Sequence, residues 1–509
     1  VNHPASKVLL LEARPGAARR GEVNRRLDEA RSQGANVWFL NSSLDFGGPW
    51  SGVRELLLEL FPRLKESAPE LVARHDYELT TIVPALRRQI TVRNPNLTDS
   101  SVADEKVRNY PIDRAYRIVH GLIELLEGWY RHAGGGRWVI AVDGYQQAGA
   151  LQKRFFRELL RRRGAAMDLT LVVTVDPGEE EAVRRDLAGS VPVETIRLDL
   201  PADEARPAVD PEQLAETARR MEEWVVPDNI ERETHYPELI RLWRDAGQPD
   251  KAVRWYVFGL GGCNHRGFYE DALAYAGTVL ENLDAFAGSD EEMRWNIVGN
   301  IFQCLAATGQ PEGARRVVEE QALAKIQDPR LRAKVFYVMA MLHSRYLPQH
   351  DLNLATDYLE RSLDILHRVE MPEEDRHFYI VFTSNALALV RFRQGRFQEA
   401  VDLCRSGFER LETHLDPDRH RLHRSVLMYN IAQVYTAIGA LEEALVYFER
   451  ALQMDRNYSE YYNERGNVYL KLGRLAEAEQ DYYRAIELSA PYPEVWTNLG
   501  QCYRQMGRP

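Results

Sequence analysis

Three small residues recur at a fixed interval near the end of this sequence: Ala432, Gly466 and Gly500 lie 34 positions apart. The same frame of side chains surrounds each. The first copy reads Met428, Ile431, Ala432, Tyr435, Gly439, Ala444, Phe448 and Ala451. The second reads Tyr462, Gly466, Tyr469, Gly473, Ala478, Tyr482 and Ala485, followed by Pro491. The third opens with Trp496, Leu499, Gly500, Tyr503 and Gly507, and then the chain stops at Pro509. A period of this length means one supersecondary unit stacked on copies of itself.

Each position in the frame has a mechanical reason. A small residue on a first helix, A, lets its antiparallel partner, B, come close, and the alanines of B do the same in return. Aromatic side chains fill the holes between them. A glycine then ends helix A in a left-handed cap. One such hairpin cannot bury its own apolar face, so several must stack. Period and residue types together resemble the tetratricopeptide repeat, which implies an all-α superhelical solenoid.

Upstream the frame continues with more divergence. Ala388, Gly395, Ala400 and Gly407 form one unit, and the step of 44 from Ala388 to Ala432 marks an insertion near Glu412–Arg421. Tyr337–Ser362 reads as a further hairpin with Ala340, Ala355 and Ser362 in the small positions. Residues 295–323 (Gly309, Ala314), 236–256 (Gly247, Ala252, Tyr256) and the helix Tyr269–Leu283 extend the series. The expected solenoid covers 212–509, with its clearest repeats at 385–509. Its last unit has helix A only; either that helix is a cap or the natural chain goes on.

The resemblance also implies a concave groove, lined by the A helices, that takes extended peptides or helices. Here the groove positions are Tyr429, Asn430, Gln433, Asn463, Asn467, Asn498 and Gln501. A row of carboxamides offers both donors and acceptors to a peptide backbone. The family's clamp for C-terminal carboxylates adds lysines and an arginine to such asparagines. Asn467 and Asn498 match that pattern, but Asn463 stands where a lysine belongs.

Composition narrows the class. With 45% hydrophobic and 28% charged residues the chain can bury a core. Its longest apolar runs, such as Val335–Leu342, fall far short of the roughly 20 residues that span a bilayer. The four cysteines are widely spaced, offering neither a metal knuckle nor a disulfide framework, which fits a reducing cytoplasm. The net charge of −11 is unevenly placed, with +2 in the first 200 residues and −13 in the rest. Neither a membrane nor nucleic acid is an expected partner.

The first 205 residues have a different texture. Short apolar runs (Val8–Leu11, Asn36–Leu40, Trp138–Asp143, Leu169–Val175, Thr195–Leu198) alternate with amphipathic stretches (Glu22–Ser32, Val53–Leu64, Arg114–Tyr130, Leu151–Arg163). Such alternation predicts an α/β domain with a parallel sheet covered on both faces. Trp138-Val-Ile-Ala-Val-Asp143 ends an apolar strand on an acid, as a Walker B strand does when it presents a carboxylate to Mg²⁺. The loop Glu12–Arg20 follows the first strand and precedes a helix. It resembles the phosphate loop of the STAND group of signalling NTPases, which commonly carry helical repeats after that domain.

The departures from that loop are specific. Ala13 and Ala18 replace its glycines, Arg19 its lysine and Arg20 its hydroxyl residue, while Arg14, Pro15 and Gly16 complete the run. Added Cβ atoms obstruct the approach of backbone N–H groups to a phosphate. Gly144 follows Asp143 where a second carboxylate would polarise water. ATP hydrolysis is therefore not expected, nor a cofactor beyond weak nucleotide binding. The arginines either receive an anion at the helix N-terminus or are solvated charges, and Asp143 is either a relic or a weak metal ligand.

Other chemistry is lacking in the sequence. It has no GxSxG elbow and no HExxH helix. His420 and His423 have no cysteine or carboxylate pair beside them, and Gly134–Gly136 precedes a strand and is a loop. Gly259–Gly262 with Cys263 and His265 reads as a flexible break between helices. The expected function is a protein- or peptide-binding scaffold or regulatory subunit with a non-hydrolysing NTPase-like domain. The alternative is a nucleotide-dependent STAND ATPase or transcriptional regulator with an atypical phosphate loop.

Overall fold

The computed structural model describes residues 6–100, 112–189, 191–200, 209–489 and 492–508; Pro491 of the second repeat lies outside them. The chain divides into two compact units. One is Val1–Arg93 with Arg114–Asn282, the other Asn94–Asp113 with Leu283–Pro509.

All five apolar runs of the first unit are strands of one parallel sheet. They are β1 (Lys7–Glu12), β2 (Asn36–Asn41), β3 (Arg137–Asp143), β4 (Asp168–Val175) and β5 (Val193–Arg197), in the order β2-β3-β4-β1-β5. Alternate side chains point to opposite faces, and both faces are covered. Leu9, Leu11, Val139, Ala141 and Val172 meet Val23, Leu27 and Ala30 of α1 (Ala17–Ser32). Between β2 and β3 come α2 (Val53–Ser67) and α3 (Ile112–His132). On β3, Trp138 packs edge-on against Trp38 at 4.8 Å and against Tyr130 of α3 at 5.6 Å. Because β4 lies between β1 and β3, the carboxyl ends of these three strands are neighbours. The loops that follow them share one edge, where α/β sheets place their sites.

The same unit continues through α4 (Ala150–Arg163) and α5 (Glu180–Leu187) into four more helices: α6 (Pro211–Glu222), α7 (Tyr236–Asp245), α8 (Pro249–Arg266) and α9 (Tyr269–Glu281). Gly259–Gly262, expected as a break, lies inside the continuous helix α8. There the missing side chains make room for the Tyr275 ring and for Glu233. What fastens α9 to the sheet layer is a buried carboxylate. Asp271 accepts from the N–H groups of Ala150 (2.8 Å) and Leu151 (3.2 Å), the first turn of α4. It supplies from 120 residues away the cap that a local Ser or Asp normally provides. A Cβ on Gly149 would stand 2.2 Å from Asp271 Oδ1, so this approach requires glycine there.

In the second unit the helices run α10 (Glu291–Ala307), α11 (Pro311–Val318), α12 (Pro329–Met341), α13 (Leu352–Arg368), α14 (Glu373–Arg393), α15 (Phe397–His414), α16 (Arg421–Ala437), α17 (Leu441–Met454), α18 (Ser459–Lys471), α19 (Leu475–Leu488) and α20 (Pro493–Gln505). Helices A and B of the clearest repeats are α16/α17 and α18/α19, and α20 is a lone helix A. Gly439 and Gly473 have φ of 81° and 74°. Beyond them Ala440 N–H donates to Tyr435 O (3.0 Å) and Arg474 N–H to Tyr469 O (2.9 Å), the bonds of a left-handed cap. The insertion is held by Arg424, buried at the start of α16. Its guanidinium donates to the carbonyls of Leu411, Leu415, Asp416 and Arg419 and pairs with Glu412. Among the described residues no helix is long and apolar enough to cross a membrane.

Two outcomes are expected. Burial raises the Asp271 carboxyl to about 7, against the opposing pull of its two N–H donors. A raised carboxyl favours the folded state while protonated, so its contribution is complete below about pH 4 and is lost as pH rises to about 7. Urea unfolding of wild type and Asp271→Asn between pH 4 and 8 will show a decline in wild type that the variant lacks. In the repeats, a Cβ on Gly466 would meet the Tyr482 ring at 2.8 Å, whereas nothing lies within 4 Å of one on Gly500. Gly466→Ala should cost about 1–3 kcal/mol by overpacking. Gly500→Ala should be neutral or stabilising by up to about 1 kcal/mol, both read from thermal melts.

Candidate functional site

The first candidate lies at the shared carboxyl edge of β1, β3 and β4. The loop leaving β1 exposes Arg14, Pro15 and Gly16, while Ala13 is buried and Ala18 half-buried. Arg19, in the first turn of α1, turns inward, and only 7% of its side chain is exposed. One guanidinium nitrogen, Nη1, reaches Asp176 Oδ1 at 2.7 Å and the Ala13 carbonyl at 3.2 Å. The other, Nη2, reaches Asp143 Oδ1 at 3.1 Å. Asp143 also accepts from Thr174 Oγ1 at 2.6 Å, and that hydroxyl in turn accepts from the Gly144 N–H at 2.9 Å. A planar fork with donors on both arms suits two carboxylates that diverge in this way. Arg20 is exposed, its guanidinium 4.9 Å from the centre of the Phe39 ring.

The three arginines of the loop thus have three different surroundings. Asp176, the second acid, was missed in the sequence reading. It was visible there, since the run Val-Val-Thr-Val of β4 is followed at once by Asp176, much as Val-Ile-Ala-Val leads to Asp143 at the end of β3.

The second candidate is the row of polar residues on the A helices. Four of the seven expected groove residues take part in amide pairs or amide–acid pairs from helix to helix. Asn430 Nδ2 donates to Asn385 Oδ1 (2.8 Å), Asn498 Nδ2 to Asn463 Oδ1 (3.0 Å) and Gln433 Nε2 to Glu464 Oε2 (3.4 Å). Asn467 accepts from the Tyr482 hydroxyl at 2.9 Å. Tyr429 stacks on Tyr461 with ring centres 5.0 Å apart, and Gln501 is exposed. Two members of the row, Asn385 and Glu464, escaped the sequence reading. Burial raises the Glu464 carboxyl above its ordinary range, against hydrogen bonds from Gln433 and Asn467.

His420 and His423, at the inserted segment, both pack on the Phe378 ring, at 4.1 and 5.6 Å. Among the described residues no group of three or more His, Cys, Asp or Glu is placed to hold a metal ion.

Comparison with known proteins bears on this second region. Tetratricopeptide repeat models match residues 379–457 and 447–480, and a TPR repeat model matches 466–507. Residues 379–507 are tetratricopeptide repeats. These repeats account for the A/B helix pairs, the close approach at Gly466 and the glycine caps described above. No curated protein matches the chain.

Several solved structures are similar to this chain. A tetratricopeptide repeat protein from Parabacteroides merdae is 13% identical with a TM-score of 0.43, covering 57% of this chain and 98% of its own. A STAND protein with a tetratricopeptide repeat sensor, from Pyrococcus horikoshii, is 11% identical with a TM-score of 0.42, covering 99% of this chain and 82% of its own. Aspartyl phosphate phosphatase F from Bacillus subtilis is 14% identical with a TM-score of 0.35, covering 60% and 78%.

The ion-pair triad generates a stability prediction. Removing Arg19 leaves Asp143 and Asp176 (27% and 30% exposed) without their shared cation. Arg19→Met should cost about 2–4 kcal/mol, below the loss for a fully buried pair. Adding Asp143→Asn to that variant should restore part of the loss, since it removes one of the two uncompensated charges. Thermal melts of the two variants and wild type measure both steps.

Proposed function

We propose that the chain is a protein- or peptide-binding scaffold or regulatory subunit. In this reading the repeat groove recognises the partner, and the α/β unit contributes to assembly without turning over nucleotide. The observation that carries the second half is the Arg19 triad. A phosphate loop presents a lysine to phosphate oxygens and a hydroxyl to the metal, and a strand-end aspartate faces that metal. In this chain the residue at the lysine position is bonded to that aspartate itself, and to a second one. Arg20 stands at the hydroxyl position and lies over Phe39. These residues do not fit a magnesium nucleotide: the cation site is taken by a guanidinium, and the metal-ligand oxygen is missing.

The groove half rests on the repeats and on the chemistry of their inner row. Amides that pair with one another keep spare acceptors and donors at their edges, enough to meet a peptide backbone with little choice of sequence. Glu464 adds acceptors to that row, so a basic side chain or backbone N–H groups suit it best.

A displayed peptide library selected on the full chain tests both halves. Recovered peptides should carry Lys or Arg. They should bind at least about tenfold more weakly to a Gln433→Ala, Glu464→Ala, Asn467→Ala variant, the loss of about 1.4 kcal/mol of polar contacts. Mg-ATP added to the same assay should change nothing. If instead Mg-ATP alters peptide binding saturably, and Asp143→Ala abolishes that effect, the nucleotide-dependent switch is the correct reading.

A further inference from the structure

Asn94–Asp113 belongs to the second unit, although Arg93 and Arg114, its neighbours in sequence, belong to the first. Both ends of this excursion are tied down. The Arg93 N–H donates to Asp76 Oδ2 at 2.9 Å, and Arg114 Nη2 donates to the hydroxyl of the next residue, Tyr77, at 2.7 Å. Residues 94–100 lie on the repeats. The one-turn helix Leu97–Ser100 rests against α16. The Leu97 N–H donates to Asp455 Oδ1 at 3.2 Å, and the Pro95 carbonyl accepts from Asn457 Nδ2 at 2.9 Å. Asp455 and Asn457 lie in the connection between α17 and α18, the step from one repeat to the next.

These contacts have the chemistry of a bound peptide. Two side chains of a repeat junction take main-chain groups, an acceptor at one residue and a donor two residues on, which almost any sequence offers. Selectivity comes from Asn96 and Thr98, which are 8% and 1% exposed, with Leu97 half-buried between them. Asn96 also shapes the segment: its Oδ1 accepts from the Asp99 N–H at 2.9 Å, an N-cap on the one-turn helix. Pro95 restricts the backbone just before it. The docked shape is therefore set locally, which lowers the cost of binding it. Leu97 is the one large aliphatic side chain in this stretch, so hydrophobic burial contributes little to holding it.

We infer that this repeat junction is a peptide-binding site whose resident occupant is the chain's own residues 94–100, and that a partner segment of the same chemistry displaces it. That segment presents a carbonyl, an N–H two residues later, and small polar side chains before and after an aliphatic one. The site is separate from the amide row of the groove and goes beyond that reading. A tethered occupant competes at an effective concentration of about millimolar. Only a partner that binds tightly, or is itself held nearby, therefore takes its place.

The probe is a synthetic peptide of residues 94–100, Asn-Pro-Asn-Leu-Thr-Asp-Ser, acetylated and amidated, with its affinity for the full chain read by ligand-observed NMR. Leu97→Pro in the chain removes the N–H that Asp455 accepts, and proline is tolerated at the first position of a helix. This vacates the junction, so the peptide should bind the variant about tenfold or more tightly than wild type, the tethered competitor being gone. Adding Asn457→Ala should weaken that binding about fivefold, as loss of one hydrogen bond does. Adding Gln433→Ala, Glu464→Ala, Asn467→Ala instead should leave it unchanged, which keeps this site distinct from the amide row whatever the fate of the groove reading. No binding to Leu97→Pro, equal affinity for it and wild type, no effect of Asn457→Ala, or loss of binding on the triple substitution overturns the inference. If Leu97→Pro melts lower than wild type, Asn96→Ala, Thr98→Ala replaces it, and the same results carry the same meaning.

Discussion

Two aspartates at the carboxyl edge of neighbouring parallel strands repel each other, and a cation shared between them offsets that repulsion. At the edge of this sheet that cation is Arg19, bonded to Asp143 and Asp176 from the first turn of α1. Much of the first unit follows from the arrangement. The guanidinium ties α1 to β3 and β4, and the Ala13 carbonyl ties it to the loop leaving β1. Thr174 links Asp143 to the Gly144 N–H where the chain leaves the sheet. An ion bound from solution would satisfy the same acids only in proportion to its concentration. A side chain of the protein is always present, so the edge keeps its geometry without a ligand.

The second unit obeys a different constraint. A helical hairpin has more apolar surface than it can bury alone, so it needs neighbours on both sides. The spacing of those neighbours is set by small residues. At Gly466 the Tyr482 ring lies where a side chain would be, and the buried Ala478 and Ala485 serve the same packing from helix B. Polar side chains follow the same rhythm: Asn430, Asn463 and Asn498 recur close to the repeat period and reach neighbouring A helices. One register therefore sets both the core and the polar row.

What could be read from the residues divides along physical lines. Strands with apolar cores and a 34-residue helical frame are local patterns, and both are present as read. Asn385 belongs to the amide row but lies 45 positions before Asn430, because the ten-residue insertion breaks the register. The same insertion hides how it is anchored, since Arg424 uses backbone carbonyls that have no identity in a sequence. Gly259 and Gly262 signal a break by intrinsic propensity, and tertiary packing overrides it. The cap on α4 lay beyond sequence reasoning. Asp271 acts across more than a hundred residues, and nothing local to Ala150 calls for it.

That cap also explains why helices with repeat-like spacing belong with the sheet. A helix N-terminus buried without acceptors leaves its first N–H groups unpaired. The N-terminus of α4 has no side-chain cap of its own, and Gly149 before it is held open by close packing. Asp271 can supply the acceptor only while α9 stays against α4. Burial raises its pKa, so the carboxyl costs least when protonated, yet two N–H donors favour its ionised form. These opposing demands are met by holding α9 in one place. The first helices after the sheet are thus fixed by a polar requirement of the α/β layer, whereas later ones are fixed by the apolar rhythm of the repeats.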